Sequence, residues 1–188
     1  DIFYNCNKGA DFSYITGLTK FGIEKIPPIV GRGVLIDMAK YFGIVSMDGG
    51  QGITRKNIQE AAKEQNINFK KGDIILFHTG WTDAKLKASP EEWGSTIPGI
   101  TNDAAVYLAS LQPMAVGADT WGLGAVPPIA GDKVYYDHVT LIKENGIYIL
   151  ETMNTGKLAN DNVSEFMFVL GQPKIKGAVQ MIINPVAL

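Results

Sequence analysis

The sequence predicts a single α/β domain with a mixed β-sheet and flanking helices. Its 188 residues suit one domain that buries most of its apolar surface. Four apolar runs typical of buried strands each stop at a polar or ionisable residue: GVLI before Asp37, DIILF before His78, MAVGA before Asp119 and IYIL before Glu151. Because ligands of open α/β sheets bind beyond the carboxyl ends of the strands, these four side chains are the first candidates for chemistry.

The first half of the chain predicts two strands separated by a helix. The β-branched run 33–36 predicts a buried strand that ends at Asp37. Thr54 predicts the N-cap of a helix that continues to Asn66. The inner face of this helix consists of Ile58, Ala61 and Ala62. A Lys-Gly-Asp turn then leads into the strand 74–77.

The second half predicts more strands and fewer long helices. Its elements are a surface excursion over 82–99, a helix capped by Thr101 and stopped by Pro113, a strand over 114–118, a Gly/Pro loop over 121–136, a helical segment over 138–144, and strands over 147–151, 165–170 and 179–184. Because no long helix separates the last two strands, part of the sheet is predicted to be antiparallel or mixed.

Charge and composition argue against nucleic acid and membrane as partners. The 17 basic and 19 acidic residues give a formal net charge of −2, and no Lys/Arg cluster forms a stripe. No apolar stretch reaches the roughly 18 to 20 residues that a membrane span needs. Cys6 is the single cysteine, so no intramolecular disulfide forms, which suits a reducing compartment. We therefore expect a cytoplasmic protein that acts on a small molecule.

The start of the chain is unusual. Asp1 leads directly into the apolar and aromatic IFY, without an initiator Met or a polar run-in. We expect further residues upstream of Asp1 in the native protein.

Only two histidines occur, and this scarcity limits every mechanism. His138 precedes Glu151 by thirteen residues, and a helix followed by a strand can fold back to bring the two together. Imidazole plus carboxylate suits Zn²⁺ or Mn²⁺. Two ligands alone do not hold a catalytic metal, and the alternative that His138 caps a helix while Glu151 forms an ion pair stays open.

His78 lies in FHTGW, where Trp81 offers a flat wall. The sequence contains no GxSxG motif, and Cys6 lies in a polar stretch, so a serine or cysteine hydrolase is disfavoured. A metal-free hydrolase that uses His78 with Asp37 or Asp119 is a third hypothesis. The competing interpretations are that His78 satisfies a backbone group and that Asp119 caps backbone N–H groups.

Six stretches, in this order, resemble the cyclase superfamily, which includes bacterial kynurenine formamidases and isatin hydrolases: GRGVLID, GDIILFHTGW, PGIT with DAA, GADTWG, a His followed by GIYILE, and EFMFVL. The resemblance covers nearly the whole chain. It implies a metal-dependent hydrolase that cleaves amide-type C–N bonds in small, often aromatic or cyclic substrates. It also implies a swivelling β/β/α fold with a mixed, barrel-like sheet, and a homo-oligomer.

Carried onto this sequence, the resemblance implies that His138 and Glu151 bind a divalent metal, Zn or Mn. His78, Trp81 and Trp121 would then lie near the substrate pocket. We accordingly expect residues 1–188 to form one cyclase-like domain.

Two departures limit the resemblance. The main metal motif of the superfamily, HxGTHxDxxxH, is absent, so the catalytic residues stay unassigned and we expect the N-terminal segment of the domain to be missing. Gly124 stands where many relatives carry an acidic residue. The alternative function is a non-catalytic binding or scaffold relative that has lost its metal site.

Overall fold

A six-stranded mixed sheet forms the centre of the computed structural model, which describes residues 1–188. Its strands are β1 (Ile29–Asp37), β2 (Ile74–His78), β3 (Ala115–Ala118), β4 (Tyr148–Leu150), β5 (Glu165–Leu170) and β6 (Val186–Ala187). Their order across the sheet is β4-β3-β2-β1-β5-β6, with β4 and β6 at the two edges. Strands β1 to β4 are mutually parallel, β5 is antiparallel to β1, and β6 is antiparallel to β5. The predicted α/β class with a mixed sheet is confirmed.

The four predicted strand ends lie along one edge of this sheet. Asp37 and His78 are register partners at the ends of β1 and β2. Asp119 and Glu151 directly follow β3 and β4. Because the carboxyl ends of parallel strands lie at the same edge of a sheet, these four residues form a row.

The two faces of the sheet carry separate hydrophobic cores because side chains alternate along each strand. The strand residues of the larger core are Val34, Ile36, Ile75, Phe77, Val116 and Ala118. The strand residues of the smaller core are Ile29, Leu35, Ile74, Leu76, Ala115, Leu150, Phe168 and Leu170. This division decides on which side of the sheet each candidate side chain lies.

Helices cover the larger core, and shorter segments cover the smaller one. The helices are α1 (Met38–Phe42), α2 (Arg55–Glu64), α3 (Trp81–Lys85), α4 (Pro90–Ser95), α5 (Asn102–Ser110), α6 (Tyr136–His138) and α7 (Gly156–Asn160), and a π-helical turn spans Val139–Glu144. Ile58 of α2, Leu108 of α5 and Leu141 of the π-helical turn are fully buried in the larger core. On the other face, Leu158 of α7 and Ile26 pack against the smaller core.

Helices α2 and α5 start by different means. Thr54 forms the predicted cap of α2, since its Oγ1 accepts from the backbone N of Asn57 at 3.2 Å and Asn57 Oδ1 accepts in return. Thr101 occupies the N-cap position of α5, but its side chain makes no capping bond. Asp132 replaces it, because its carboxylate accepts from the backbone N of Asn102 at 2.8 Å. This bond ties the Gly/Pro loop to the start of α5.

The remaining elements are short. They are two-residue strands at Ile2–Phe3, Asn7–Lys8, Ser13–Tyr14, Gly17–Leu18, Gly52–Ile53 and Gly99–Ile100, and 3₁₀ turns at Tyr4–Cys6, Gly9–Asp11 and Ile23–Lys25. None of the helices combines the length and the apolar character that a membrane crossing requires.

Two predicted elements differ in the structure. The predicted strand 179–184 is wrong, because the edge partner of β5 is the later segment ending in Leu188, which exchanges two backbone bonds of 3.0 Å with Met167. Gly177, just before the predicted strand, lies in the left-handed region at φ 75°. Its backbone O accepts from the backbone N of Leu18. The predicted excursion 82–99 contains α3 and α4, and α3 begins at Trp81, whose side chain is fully buried.

Candidate metal centre

His138 and Glu151 converge beside the carboxyl end of β4. Nε2 of His138 lies 3.4 Å from Oε1 of Glu151. The side chains are 34% and 30% exposed, so solvent reaches both. An imidazole nitrogen and a carboxylate oxygen in this arrangement can act as two ligands of one divalent ion.

The local fold explains why these two residues meet. Tyr135, in the left-handed region at φ 57°, begins the turn into α6. The π-helical turn then anchors its buried Leu141 in the larger core, and Gly146 at φ 66° ends it. The chain therefore reverses into β4, and Glu151 follows β4 on the side of Ile149, which packs against the same core.

A second carboxylate holds the other ring nitrogen of His138. Oδ2 of Asp137 lies 3.0 Å from Nδ1, and the Asp137 side chain is only 5% exposed. The hydrogen bond to Asp137, followed by the one to Glu151, outweighs burial and raises the pKa of His138 to about 10. At neutral pH and without a metal, the ring is therefore protonated between two carboxylates. A metal that binds Nε2 displaces that proton.

The surroundings of the pair contain a small cavity. Its volume is about 20 Å³, and its lining includes Gly124, Asp137, His138 and Tyr135. A space of this size holds about one water molecule. A larger groove, of about 340 Å³, lies at the end of β1 next to α1 and α7, and its lining includes Asp37 and Lys40.

His78 forms a separate buried cluster. Its Nδ1 lies 2.8 Å from the Thr155 hydroxyl and 3.8 Å from Oδ2 of Asp119. Oδ1 of Asp119 accepts from the backbone N and the hydroxyl of Thr79, whereas Oδ2 has no hydrogen-bond partner. Burial raises the pKa of Asp119. Asp119 therefore accepts a backbone N–H, as predicted, but from the end of β2 rather than from its own loop.

The two imidazole–carboxylate pairs lie on opposite faces of the sheet. His78 follows Leu76 on the side of the smaller core, and Glu151 follows Ile149 on the side of the larger core. The structure thus brings His138 and Glu151 together and keeps His78 away from them. Asp37, the other predicted partner of His78, caps α1 by accepting from the backbone N of Lys40 at 2.8 Å.

The tryptophans are linked through a third one that the sequence did not indicate. Nε1 of Trp121 donates to the backbone O of Trp93 at 2.6 Å, and Nε1 of Trp93 donates to the Thr82 hydroxyl at 2.9 Å. Trp81 is fully buried, whereas Trp121 is partly exposed. Trp93 shares no sequence motif with Trp81 or Trp121, so no pattern in the sequence indicates these contacts.

The pair of His138 and Glu151 fits two ligand positions of a metal site. No group of three or more His, Cys, Asp or Glu side chains is placed to hold an ion. Catalytic zinc sites take three protein ligands, so a functional site needs at least one ligand beyond this pair.

Comparisons with known proteins indicate the family and the fold of the chain. A family model described as "Putative cyclase" matches residues 9–125. A structure described as a novel cyclase has a TM-score of 0.83 and 29% identity, over 100% of this chain and 64% of that chain. An isatin hydrolase A from Ralstonia solanacearum has a TM-score of 0.70 and 20% identity, over 93% of this chain and 67% of that chain. A potential metal-dependent hydrolase with cyclase activity has a TM-score of 0.61 and 21% identity, over 85% and 65%.

These matches differ in what they show. The chain spans less than two thirds of the length of the first structure. The other two are below 25% identity, so their likeness concerns the fold alone. A search of curated proteins found no match. Since the family model covers more than half of the chain, the chain belongs to the cyclase family.

Proposed function

We propose that this protein acts as a metal-dependent hydrolase that cleaves an amide-type C–N bond in a small aromatic or cyclic substrate. The observation that carries the proposal is the 3.4 Å approach of His138 Nε2 and Glu151 Oε1 at a solvent-accessible strand end. Membership of the cyclase family supports it, as do solved relatives described as isatin hydrolases and metal-dependent hydrolases.

In this proposal His138 and Glu151 hold Zn²⁺ or Mn²⁺ together with ligands beyond the pair. When bound, such an ion polarises a carbonyl and lowers the pKa of water. The Glu151 carboxylate offsets part of the ion's charge, and His138 binds through Nε2 because Nδ1 is held by Asp137.

The substrate would meet aromatic surface near this edge. Trp121 is partly exposed and suits a flat ring. Trp81 and His78 would contribute indirectly, because Trp81 is fully buried and His78 lies across the sheet. We further propose a cytoplasmic homo-oligomer, as the family resemblance implies.

The test is hydrolysis by the native protein loaded with Zn²⁺ or Mn²⁺. Suitable substrates are isatin, a cyclic aromatic amide, and an N-formylated aromatic amine. Glu151→Gln and His138→Ala should each lower kcat/KM and metal affinity by more than about tenfold, because each removes a ligand. Glu144→Gln is a matched control, since Glu144 is exposed and lies in the same segment.

Each outcome of this test has a definite meaning. Loss of activity in both ligand variants, with normal unfolding and an active Glu144→Gln, supports the proposal. Unchanged activity in Glu151→Gln contradicts the ligand assignment. Absence of both metal binding and turnover in the native protein favours the second candidate, a non-catalytic binding or scaffold relative. The observation that favours this non-catalytic candidate is the lack of a third donor beside the pair.

A further inference from the structure

We infer that Asp137 is a positioning residue of the proposed metal centre, and that Gly124 is the position that makes room for its carboxylate. The inference rests on the proposed function, because it assigns to Asp137 the orientation of a metal-binding imidazole. It adds a residue that neither the sequence analysis nor the comparisons indicated.

The first support is the way in which the His138 ring is held. Asp137 Oδ2 lies 3.0 Å from Nδ1, and Glu151 Oε1 lies 3.4 Å from Nε2. The two carboxylates therefore bracket the ring from opposite sides. The Asp137 oxygen accepts from Nδ1–H, which leaves Nε2 as the ring nitrogen that a metal can bind once its proton is displaced.

The second support is the difference in exposure between the two carboxylates. The Asp137 side chain is 5% exposed, whereas that of Glu151 is 30% exposed. A buried carboxylate with a fixed partner loses little orientational freedom when a ligand binds, so it suits a positioning role. The exposed carboxylate is the one that an ion from solvent can reach.

The third support is the contact with Gly124. A Cβ built on Gly124 would lie 3.0 Å from Oδ1 and 3.2 Å from Cγ of Asp137. No positive φ demands glycine here, and the atoms nearest to a built Cβ belong to the Asp137 carboxylate. The Asp137 carboxylate thus occupies the volume that a side chain at position 124 would fill.

A geometric consequence follows for paired substitutions. In Asp137→Ala, an aspartate at position 124 extends its carboxylate into the vacated volume beside Nδ1. The Gly124→Asp substitution alone places two carboxylates in one space, which is unfavourable sterically and electrostatically. The positions should therefore be interchangeable as a pair but not singly.

The contact between the rings of Tyr135 and His138 does not depend on the paired substitution at positions 124 and 137. The ring of Tyr135 packs edge-on against His138, with centroids 5.6 Å apart. This contact limits the tilt of the imidazole but offers no acceptor to Nδ1. Asp137 is therefore the group that holds Nδ1.

The experiment compares the native protein with Asp137→Ala, Gly124→Asp, Asp137→Ala/Gly124→Asp and Asp137→Ala/Gly124→Leu. Zn²⁺ affinity is measured by calorimetry, and the Nδ1–H proton of His138 is observed by NMR without metal. Leucine has the same branched skeleton as aspartate, with larger terminal groups and no acceptor, so it separates the acceptor from packing. Thermal unfolding of every variant is recorded alongside.

We expect Asp137→Ala to lose about 10-fold to 100-fold in Zn²⁺ affinity and to lose the slowly exchanging Nδ1–H signal. The double variant with Gly124→Asp should regain most of both, and the one with Gly124→Leu should regain neither. Full affinity in Asp137→Ala, or equal rescue by leucine, would overturn the inference.

Failure of the proposed function gives a different result. If the native protein binds no Zn²⁺, the hydrolase proposal fails, whereas the NMR comparison still decides the positioning claim. Loss of the Nδ1–H signal in Asp137→Ala and its return with Gly124→Asp would then support it. Persistence of that signal without the Asp137 carboxylate would refute it.

Discussion

His138 differs from His78 in what holds its Nδ1. A buried carboxylate holds Nδ1 of His138, whereas a hydroxyl group, that of Thr155, holds Nδ1 of His78. The carboxylate keeps a positive ring in place and leaves Nε2 toward Glu151. This difference makes His138 the stronger candidate for metal binding.

At the residue scale, sequence reasoning identified the pair but not its supports. The segment from His138 to Glu151 contains a helical turn followed by a strand, and this pattern predicts a close approach. Asp137 and Thr155 have no such pattern, because their contacts depend on ring orientation and on the position of α7. Such side-chain contacts are not encoded in local spacing.

Asp119 yields a prediction about stability. Asp119→Ala should lower the free energy of unfolding by about 1–3 kcal/mol, because it leaves the buried N–H of Thr79 without its acceptor. Asp119→Asn keeps an oxygen for that bond and is the matched control. Urea unfolding at neutral pH measures both. Equal stability of the alanine and asparagine variants would contradict the bond's contribution.

The same carboxyl group predicts a pH dependence. Burial raises the pKa of Asp119, so the folded state holds this proton more tightly than the unfolded chain. This tighter proton binding stabilises the folded state fully below the ordinary aspartate pKa. The stabilisation is lost as pH rises through the raised pKa of Asp119. Asp119→Asn should lack this loss. Parallel stability curves for wild type and Asp119→Asn, measured by urea unfolding across the acidic range, would count against it.

At the element scale, the bounds of two strands were predicted closely. The strands after the Lys-Gly-Asp turn and before Gly171 agree with the structure within one residue, since their apolar side chains fill the two cores. The wrong strand over 179–184 has β-rich composition, but the segment ending in Leu188 takes the edge of β5 in its place. Composition predicts strand preference, whereas pairing is decided by the whole sheet.

The turn between β2 and α3 gives a prediction at this scale. Gly80 has a φ of 74°, and a Cβ there would lie 2.2 Å from the backbone O of Val45. Gly80→Ala should therefore destabilise the protein by more than about 1 kcal/mol. The matched control is Gly94→Ala in α4, where nothing lies within 4 Å. There we expect a gain of about 0.5–1 kcal/mol. Thermal unfolding of the two variants should shift in opposite directions, and a shared direction would be inconsistent with this explanation.

At the scale of the whole molecule, the sheet separates two polar sites. Four parallel strands bring Asp37, His78, Asp119 and Glu151 to one edge, and alternation then divides them between two faces. The row at the edge was predictable from strand endings, but the division was not, because it depends on the exact strand register. One of the two faces carries the proposed metal centre.

The number of ligands gives a prediction for metal affinity. A site with only the two protein ligands of the pair should bind Zn²⁺ weakly. Isothermal calorimetry with and without Glu151→Gln measures this. Tight binding that survives Glu151→Gln would locate the metal elsewhere.

The assignment of the metal site to His138 and Glu151 is tested with Mn²⁺ as a paramagnetic probe of the two histidines. Substoichiometric Mn²⁺ is added, and the broadening of the ring protons of His138 and His78 is compared by NMR. We expect His138 to broaden first and Glu151→Gln to remove the difference. Equal broadening of both rings, or selective broadening of His78, would contradict it.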